Sequence, residues 1–324
     1  MSKFLNKNKY KIALVLVFAV VVLSLTSCRF DSGSWYTKPY TTYGQEWSDL
    51  WNGGRGFFNT LFAWPINLIS YPIAWLCSQI GKAIGNSFFW GIFFTTLIVR
   101  TLAWPIYSRQ NGMSLKMNLM QPEMNKIQRK YQGRQDPRSQ QMMQLYKKYK
   151  INPLGCFGTM ILQFPIFMAM YEVVQRINAT STVTADGISI TSTGIFALHN
   201  TKFLGFEIAS SFMGATQIGD KMFGLVVALL FGAVTFLSQK LGQRPMKYQK
   251  NYNNNVKTKD QAKQGNQMKI MMIVMNVVFV FMALQSTALG IYWLIGGIYQ
   301  LFQSQVGRWI NQRNYEKAQK NNIL

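Results

Sequence analysis

The chain has 324 residues, 49% of them hydrophobic and 15% aromatic, and a formal net charge of +23. Long uncharged runs in that composition exclude a single large soluble core and indicate a polytopic membrane protein, while the excess of Lys and Arg points to anionic headgroups, RNA or acidic polypeptides. Three cysteines without metal-ligand spacing and one histidine, His199, give no disulfide framework and almost no material for imidazole or metal chemistry.

Residues 1–27 read as a lipoprotein signal peptide. Lys3, Lys7, Lys9 and Lys11 form the basic start, Ile12 to Leu25 the apolar core, and Leu25-Thr26-Ser27-Cys28 the end. The tetrad resembles a bacterial lipobox, with Cys28 as the lipid-modified first residue of the mature chain; the alternative is an uncleaved anchor with an incidental cysteine. Residues 28–85 make an external segment too short for a folded domain before Gly56. From Gly56 to Gly85 the chain is rich in Phe, Trp, Leu and Ile, yet Pro65 and Pro72 would break a spanning helix. A helix lying in the outer interface is expected, with Trp64 and Trp75 at headgroup level. A crossing here would put Cys28 and the basic loop after Tyr107 on the same side.

The core is expected over residues 86–312. Ser87 to Tyr107 is about the ~20 apolar residues that a crossing helix needs, with Trp90 and Trp104 near its ends. Arg100 is the only formal charge between Lys82 and Arg109. On insertion scales an arginine inside the membrane costs at least ~2.5 kcal/mol, so it faces a partner or a wet cavity, or else snorkels to the interface. Thr96, Arg100 and Trp104 share one helix face.

Ser108 to Asn152 is strongly basic and is expected in the cytoplasm as a helical hairpin (108–152) divided at Gly133–Pro137. Met113, Met117, Met120 and Met124, continued by Ile127 and Tyr131, form one apolar seam, and the second arm offers Met142, Leu145, Tyr146 and Tyr149. The seam either glues the hairpin together or presents an adaptable surface to varied apolar segments. Pro153 to Ile177 is the second span, with Gln163 inside it and Glu172 and Arg176 at its outer end. The loop 178–220 is external, and Met222 to Gln239 is the third span. The basic stretch 240–269 is inside. Ile270 to Gly307 carries no charge over ~38 residues, about twice what one crossing needs, so it turns near Ser286–Gly290 into two spans. Residues 313–324 are a basic cytoplasmic tail. The fold class expected is therefore an all-α polytopic membrane protein with five transmembrane helices after signal cleavage, an outer interfacial helix and a cytoplasmic helical hairpin.

The chain offers no Gly-rich phosphate loop, Ser/His/Asp set, Cys/His cluster or paired intramembrane carboxylates, so neither an enzyme nor a cofactor is expected. What remains is a set of polar residues in apolar helices: Thr96, Arg100, Gln163, Asn276 and Gln285. Each alone is more often an interhelical hydrogen bond; together they suit a hydrated pocket in the membrane.

The runs IFFTTLIVRTLAWPIYSRQ, MQPEMNKIQRKY, QQMMQLYKKYKINPLGCFGTMILQFPIFMAMY, VTFLSQKL and STALGIYWLIGGIYQLFQ resemble the YidC family of membrane-protein insertases, relatives of the mitochondrial oxidase-assembly and chloroplast thylakoid insertases. The likeness covers about residues 56–312, and the lipobox without a large external domain is similar to the form found in Gram-positive bacteria. The resemblance implies a five-helix core around a hydrophilic groove, open to cytoplasm and lipid. It maps the groove arginine onto Arg100 and polar partners onto Gln239 and Trp293, which join Thr96 and Gln163. Cys156-Phe157-Gly158 and Ser286 depart from the family's usual CLP and Pro. It further implies nascent membrane proteins as clients, and the Sec translocon, the signal-recognition pathway and the ribosome as candidate partners. Anionic lipids and a monomer in the bacterial plasma membrane complete the expectation, with a lipid-anchored N-terminus outside and the C-terminus in the cytoplasm. A small-molecule permease and a non-catalytic assembly scaffold remain the alternatives.

Overall fold

A computed structural model describes residues 39–40, 57–105, 108, 120, 123–131, 135–149, 166, 168–178, 180–185, 188–212, 214–242, 244, 270 and 273–320. In chain order the described helices are α1 (Phe57–Ala83), α2 (Phe88–Leu102), α3 (123–130), α4 (Gln135–Lys148), α5 (168–176), α6 (Ile218–Gly242), α7 (Ile273–Ala283) and α8 (Thr287–Lys320). Between α5 and α6 lie four short strands, β1 (Thr180–Ala185), β2 (Ile188–Thr193), β3 (Lys202–Phe203) and β4 (Phe206–Glu207). The chain divides into two compact units, the first Met1–Thr96, Ile166–Ala233 and Ile270–Leu294, the second Leu97–Pro165, Val234–Lys269 and Ile295–Leu324.

In the first unit α1 runs unbroken through Pro65 and Pro72, which were expected to break a spanning helix. Each proline in a helix interior forfeits a backbone hydrogen bond and costs ~3 kcal/mol. Burial of Ile66, Ile73, Ala74 and Cys77 offsets that loss, at ~1.5–3 kcal/mol for each large apolar side chain taken out of water. Small residues bring α1 against α2. A Cβ on Gly91 would lie 2.8 Å from the Cys77 carbonyl oxygen, and one on Gly81 would meet Leu198 at 2.5 Å and the Ser87 carbonyl at 2.9 Å. Leu198 is thus a plug from the loop between α5 and α6, set between two glycines. The same loop is pinned by hydrogen bonds from the Phe88 amide to the Asn200 carbonyl and from the Asn200 amide to the Asn86 carbonyl, at 2.9 and 3.0 Å.

α7 and α8 are separated by residues 284–286, and the rings of Phe279 and Trp293 meet at 5.7 Å, so the chain doubles back there, beside the expected turn. Ser286 caps α8 through its hydroxyl, which accepts from the Leu289 amide at 3.4 Å. The loop caps the same point: the amides of Thr287 and Ala288 donate to the carbonyls of Ser210 and Ile208, and the Phe212 amide donates to the Leu284 carbonyl. Glycine again allows close approach, since a Cβ on Gly224 would meet Thr287 Oγ1 at 2.8 Å and one on Gly232 would meet Val280 at 2.7 Å. Arg176 and Glu172 form a fully buried ion pair on α5, and the Arg176 guanidinium lies 4.2 Å from the centre of the Tyr40 ring.

The strands amend the all-α expectation. β1 and β2 pair antiparallel from Thr180↔Thr193 to Ala185↔Ile188, and β3 and β4 pair across Lys202↔Glu207 and Phe203↔Phe206. The second pair turns on Leu204 and Gly205, with φ of 52° and 86°, the double left-handed conformation of a tight hairpin. The molecule is mostly helical with two small two-stranded sheets in the loop between α5 and α6.

In the second unit α3 and α4 fold back on each other around Met120 and Leu145, with Met124, Ile127, Tyr146 and Tyr149 packed against them. Met120 and Met124 therefore serve internal packing, whereas Met143 is exposed; Met113 and Met117 lie outside the described residues. Arg308 on α8 closes the end of α6, donating to the carbonyls of Gly242 and Arg244 at 3.0 and 2.7 Å. A guanidinium suits a helix C-terminus, where carbonyls lack partners and the dipole favours positive charge.

Candidate functional site

The helices are inverted relative to those of a water-soluble protein. On α2 the apolar residues Trp90, Phe94, Ile98 and Leu102 form an exposed i, i+4 stripe, while Thr95 and Thr96 are buried. α6 exposes Met222, Val226, Leu229, Leu230, Phe236 and Leu237. Apolar surface on that scale is tolerated in hydrocarbon and not in water. By length and composition α6 is the described helix able to cross a membrane, and α2 and α7 are apolar but shorter.

Within the second unit, α8 carries the same inversion from Ile295 onward. Ile298, Phe302, Trp309 and Ile310 are exposed, while Gln303 and Asn311 are 4% and 6% exposed and Gly296 and Gly307 are buried with them. The buried face of this stretch is glycine and carboxamide. The Gln303 Nε2 donor has no hydrogen-bond partner among the described residues, which suits a helix face that meets water or another chain's polar groups.

Arg100 points at that face. It is half-buried, and its guanidinium fills the space beside Gly296: a Cβ there would stand 2.8 Å from Nη2 and 3.3 Å from Cζ and Nε. Next to it the hydroxyls of Thr101 and Tyr299 are hydrogen-bonded at 3.0 Å, and the Trp104 ring meets that of Tyr299 edge-on at 6.1 Å. Tyr299 thus fastens α2 to α8 one turn from the arginine.

The other expected residues fall differently. Gln239 is half-buried in the second unit. Thr96 belongs to the first unit, and its hydroxyl donates to its own helix at the Ile92 carbonyl, 2.6 Å away. Trp293, also in the first unit, is buried between Phe231 and Phe279 at ring distances of 5.5 and 5.7 Å. Asn276 Nδ2 donates to the Gly232 carbonyl at 3.2 Å, an interhelical hydrogen bond, and Gln285 is exposed at the α7–α8 turn. Gln163 and Cys28 lie outside the described residues. Among the described residues no group of three or more His, Cys, Asp or Glu could hold a metal ion.

Gly296, Tyr299 and Gln303 were not legible as site residues from hydropathy, because each is ordinary in an apolar helix. Their one signal is spacing: Gly296, Gln303, Gly307 and Asn311 recur at i, i+7, i+11 and i+15 and so share a helix face.

The α3–α4 pair holds the other charged cluster. Glu123 accepts hydrogen bonds from the Tyr149 hydroxyl at 2.8 Å and from Lys148 Nζ at 3.0 Å. Those two donors, Tyr149 first, hold its carboxyl below the usual carboxylate range.

Comparison with known proteins places these features in a family. Residues 79–317 match the model of the family described as 60Kd inner membrane protein. The chain is 30% identical to a membrane protein insertase YidC of Oceanobacillus iheyensis, over 77% of this chain and 82% of that protein. It is 26% identical to the membrane protein insertase MisCA of Bacillus subtilis over 73% and 76% of the two chains. A YidC of Alkalihalophilus pseudofirmus is 25% identical over 91% and 93%.

Proposed function

The chain belongs to the 60Kd inner membrane protein family, to which the YidC insertases belong, and from that membership we propose that it inserts nascent membrane proteins into the plasma membrane and helps them fold. The observation that carries the mechanism is Arg100, a half-buried cation on an otherwise apolar helix, aimed at an α8 face of glycine and carboxamide.

A client's hydrophilic external segment cannot cross hydrocarbon unaided, because each backbone group left without a hydrogen bond there costs several kcal/mol. A wet groove reaching part-way through the bilayer shortens that path. Arg100 draws acidic residues of the segment into it transiently, while the apolar segment partitions into lipid along the third and fifth spans. Partitioning supplies the free energy, so no nucleotide site is needed. Gln239 and Gln163 complete the groove lining in this reading.

The topology belongs to the same proposal: five spans, Cys28 lipidated outside, the 108–152 hairpin and the tail in the cytoplasm. The basic hairpin and tail face anionic lipid and are the surfaces for the ribosome, the signal-recognition pathway or the Sec translocon. The chain works as a monomer.

The test is insertion of a small single-span client by the purified chain in liposomes. A charge pair at 4 Å is worth ~4 kcal/mol at an effective dielectric of 20. A loss of at least about tenfold (~1.4 kcal/mol) is therefore expected for Arg100→Ala with an acidic external segment. Arg100→Lys retains most of the activity. Unchanged insertion by Arg100→Ala would remove the electrostatic mechanism, and solute flux without insertion would favour a permease.

A further inference from the structure

The guanidinium of Arg100 rests where a side chain at position 296 would be. The nearest approach, 2.8 Å to Nη2, is closer than a real Cβ contact allows, and all three contacting atoms belong to the planar head of one arginine. Gly91 on α2 is the contrasting case. At Gly91 the obstacle is the Cys77 backbone, which cannot step aside without moving a helix. At Gly296 the obstacle is the tip of a long side chain, which can.

We propose that Gly296 is a positioning residue for insertion: its bare α-carbon is the seat that holds the Arg100 guanidinium against α8, in register with the buried amide of Gln303 two turns further along the same face. The proposal rests on the role given to Arg100 above and adds to it a determinant of where the charge sits. Contact with a glycine leaves the guanidinium room to pack against α8, in space that a side chain at position 296 would fill. It also limits the rotamers that the long side chain samples, so less freedom is lost when a carboxylate docks.

Gly296→Ala separates positioning from folding. Alanine is the better helix former, and the three nearest atoms belong to one flexible side chain, so α8 is retained while the guanidinium is displaced. The experiment compares the purified full-length chain with Gly296→Ala, Arg100→Ala, Arg100→Lys and the Arg100→Lys/Gly296→Ala double variant in liposomes. Each is given one single-span client with an acidic external segment and the same client with that segment neutralised; thermal melting in detergent is read in parallel.

The expected result for Gly296→Ala is about a tenfold loss with the acidic client. The neutral client should be inserted normally and the melting temperature should be unchanged or raised. In the Arg100→Lys background Gly296→Ala should add no further loss, because a lysine has no planar head to be displaced.

Five results overturn the proposal. If Gly296→Ala inserts the acidic client normally while Arg100→Ala does not, the seat is dispensable and the role of Arg100 stands. An equal loss for both clients, a lowered melting temperature, or an undiminished effect in the lysine background makes Gly296 merely structural. If Arg100→Ala itself inserts the acidic client normally, the underlying mechanism falls and the seat with it.

Discussion

Glu123 shows how a single residue sets a testable pH response. Its carboxyl titrates below its ordinary value of 4.5 because Tyr149 and Lys148 donate to the charged form. A group whose folded pKa is lowered stabilises the fold fully above its unfolded pKa and loses that contribution as pH falls through the folded value. Hydrogen exchange of the α3–α4 amides should therefore speed up as pH is taken from neutrality to below the carboxylate range, after correction for the intrinsic rate. Glu123→Gln should flatten that dependence. At neutral pH it should cost no more than ~1 kcal/mol, since the pair with Lys148 is solvent-screened. Arg100 differs in kind. Its role is read through substitution and through the client's charge.

At the scale of elements, the contacts between helices depend on missing side chains. Gly91→Ala meets a backbone oxygen 2.8 Å away and should destabilise the α1–α2 packing by ~1–3 kcal/mol, read as a lowered melting temperature in detergent. Leu198→Ala acts oppositely on the same place by emptying the space between Gly81 and Gly91, and should cost ~2–5 kcal/mol. By contrast Ser286→Ala should fall at the low end of a lost cap, ~0.5 kcal/mol, because the loop carbonyls of Ser210 and Ile208 already satisfy the first amides of α8. These loop contacts also explain how a serine can stand at the turn before α8, where the family resemblance leads one to expect proline. The chain direction is set by backbone hydrogen bonds from the 208–212 segment as well as by local conformational preference.

For the whole molecule the decisive measurement is topology. Single cysteines placed in the 108–152 stretch and the tail should react only with reagent admitted to the cytoplasmic side, and those in the 194–212 loop only with reagent outside. Fatty-acylated Cys28 should appear by mass spectrometry and vanish in Cys28→Ala. Composition and hydropathy alone determined the membrane class, the helical architecture, the arginine-bearing helix and the reversal beside Ser286. All of these follow from uncharged run lengths and charge placement, which are local properties. The Thr, Val and Ile residues of β1 and β2 also carried a signal for the ribbon these strands form, though the polar composition of its loop masked it. Only the tertiary structure decided that α1 continues through two prolines, that the Thr96 hydroxyl is spent on its own helix, and that Met120 and Met124 pack inward. It alone set Gly296 beneath Arg100. The last of these depends on side chains that meet across some two hundred positions of chain, and neither periodicity nor composition carries that information.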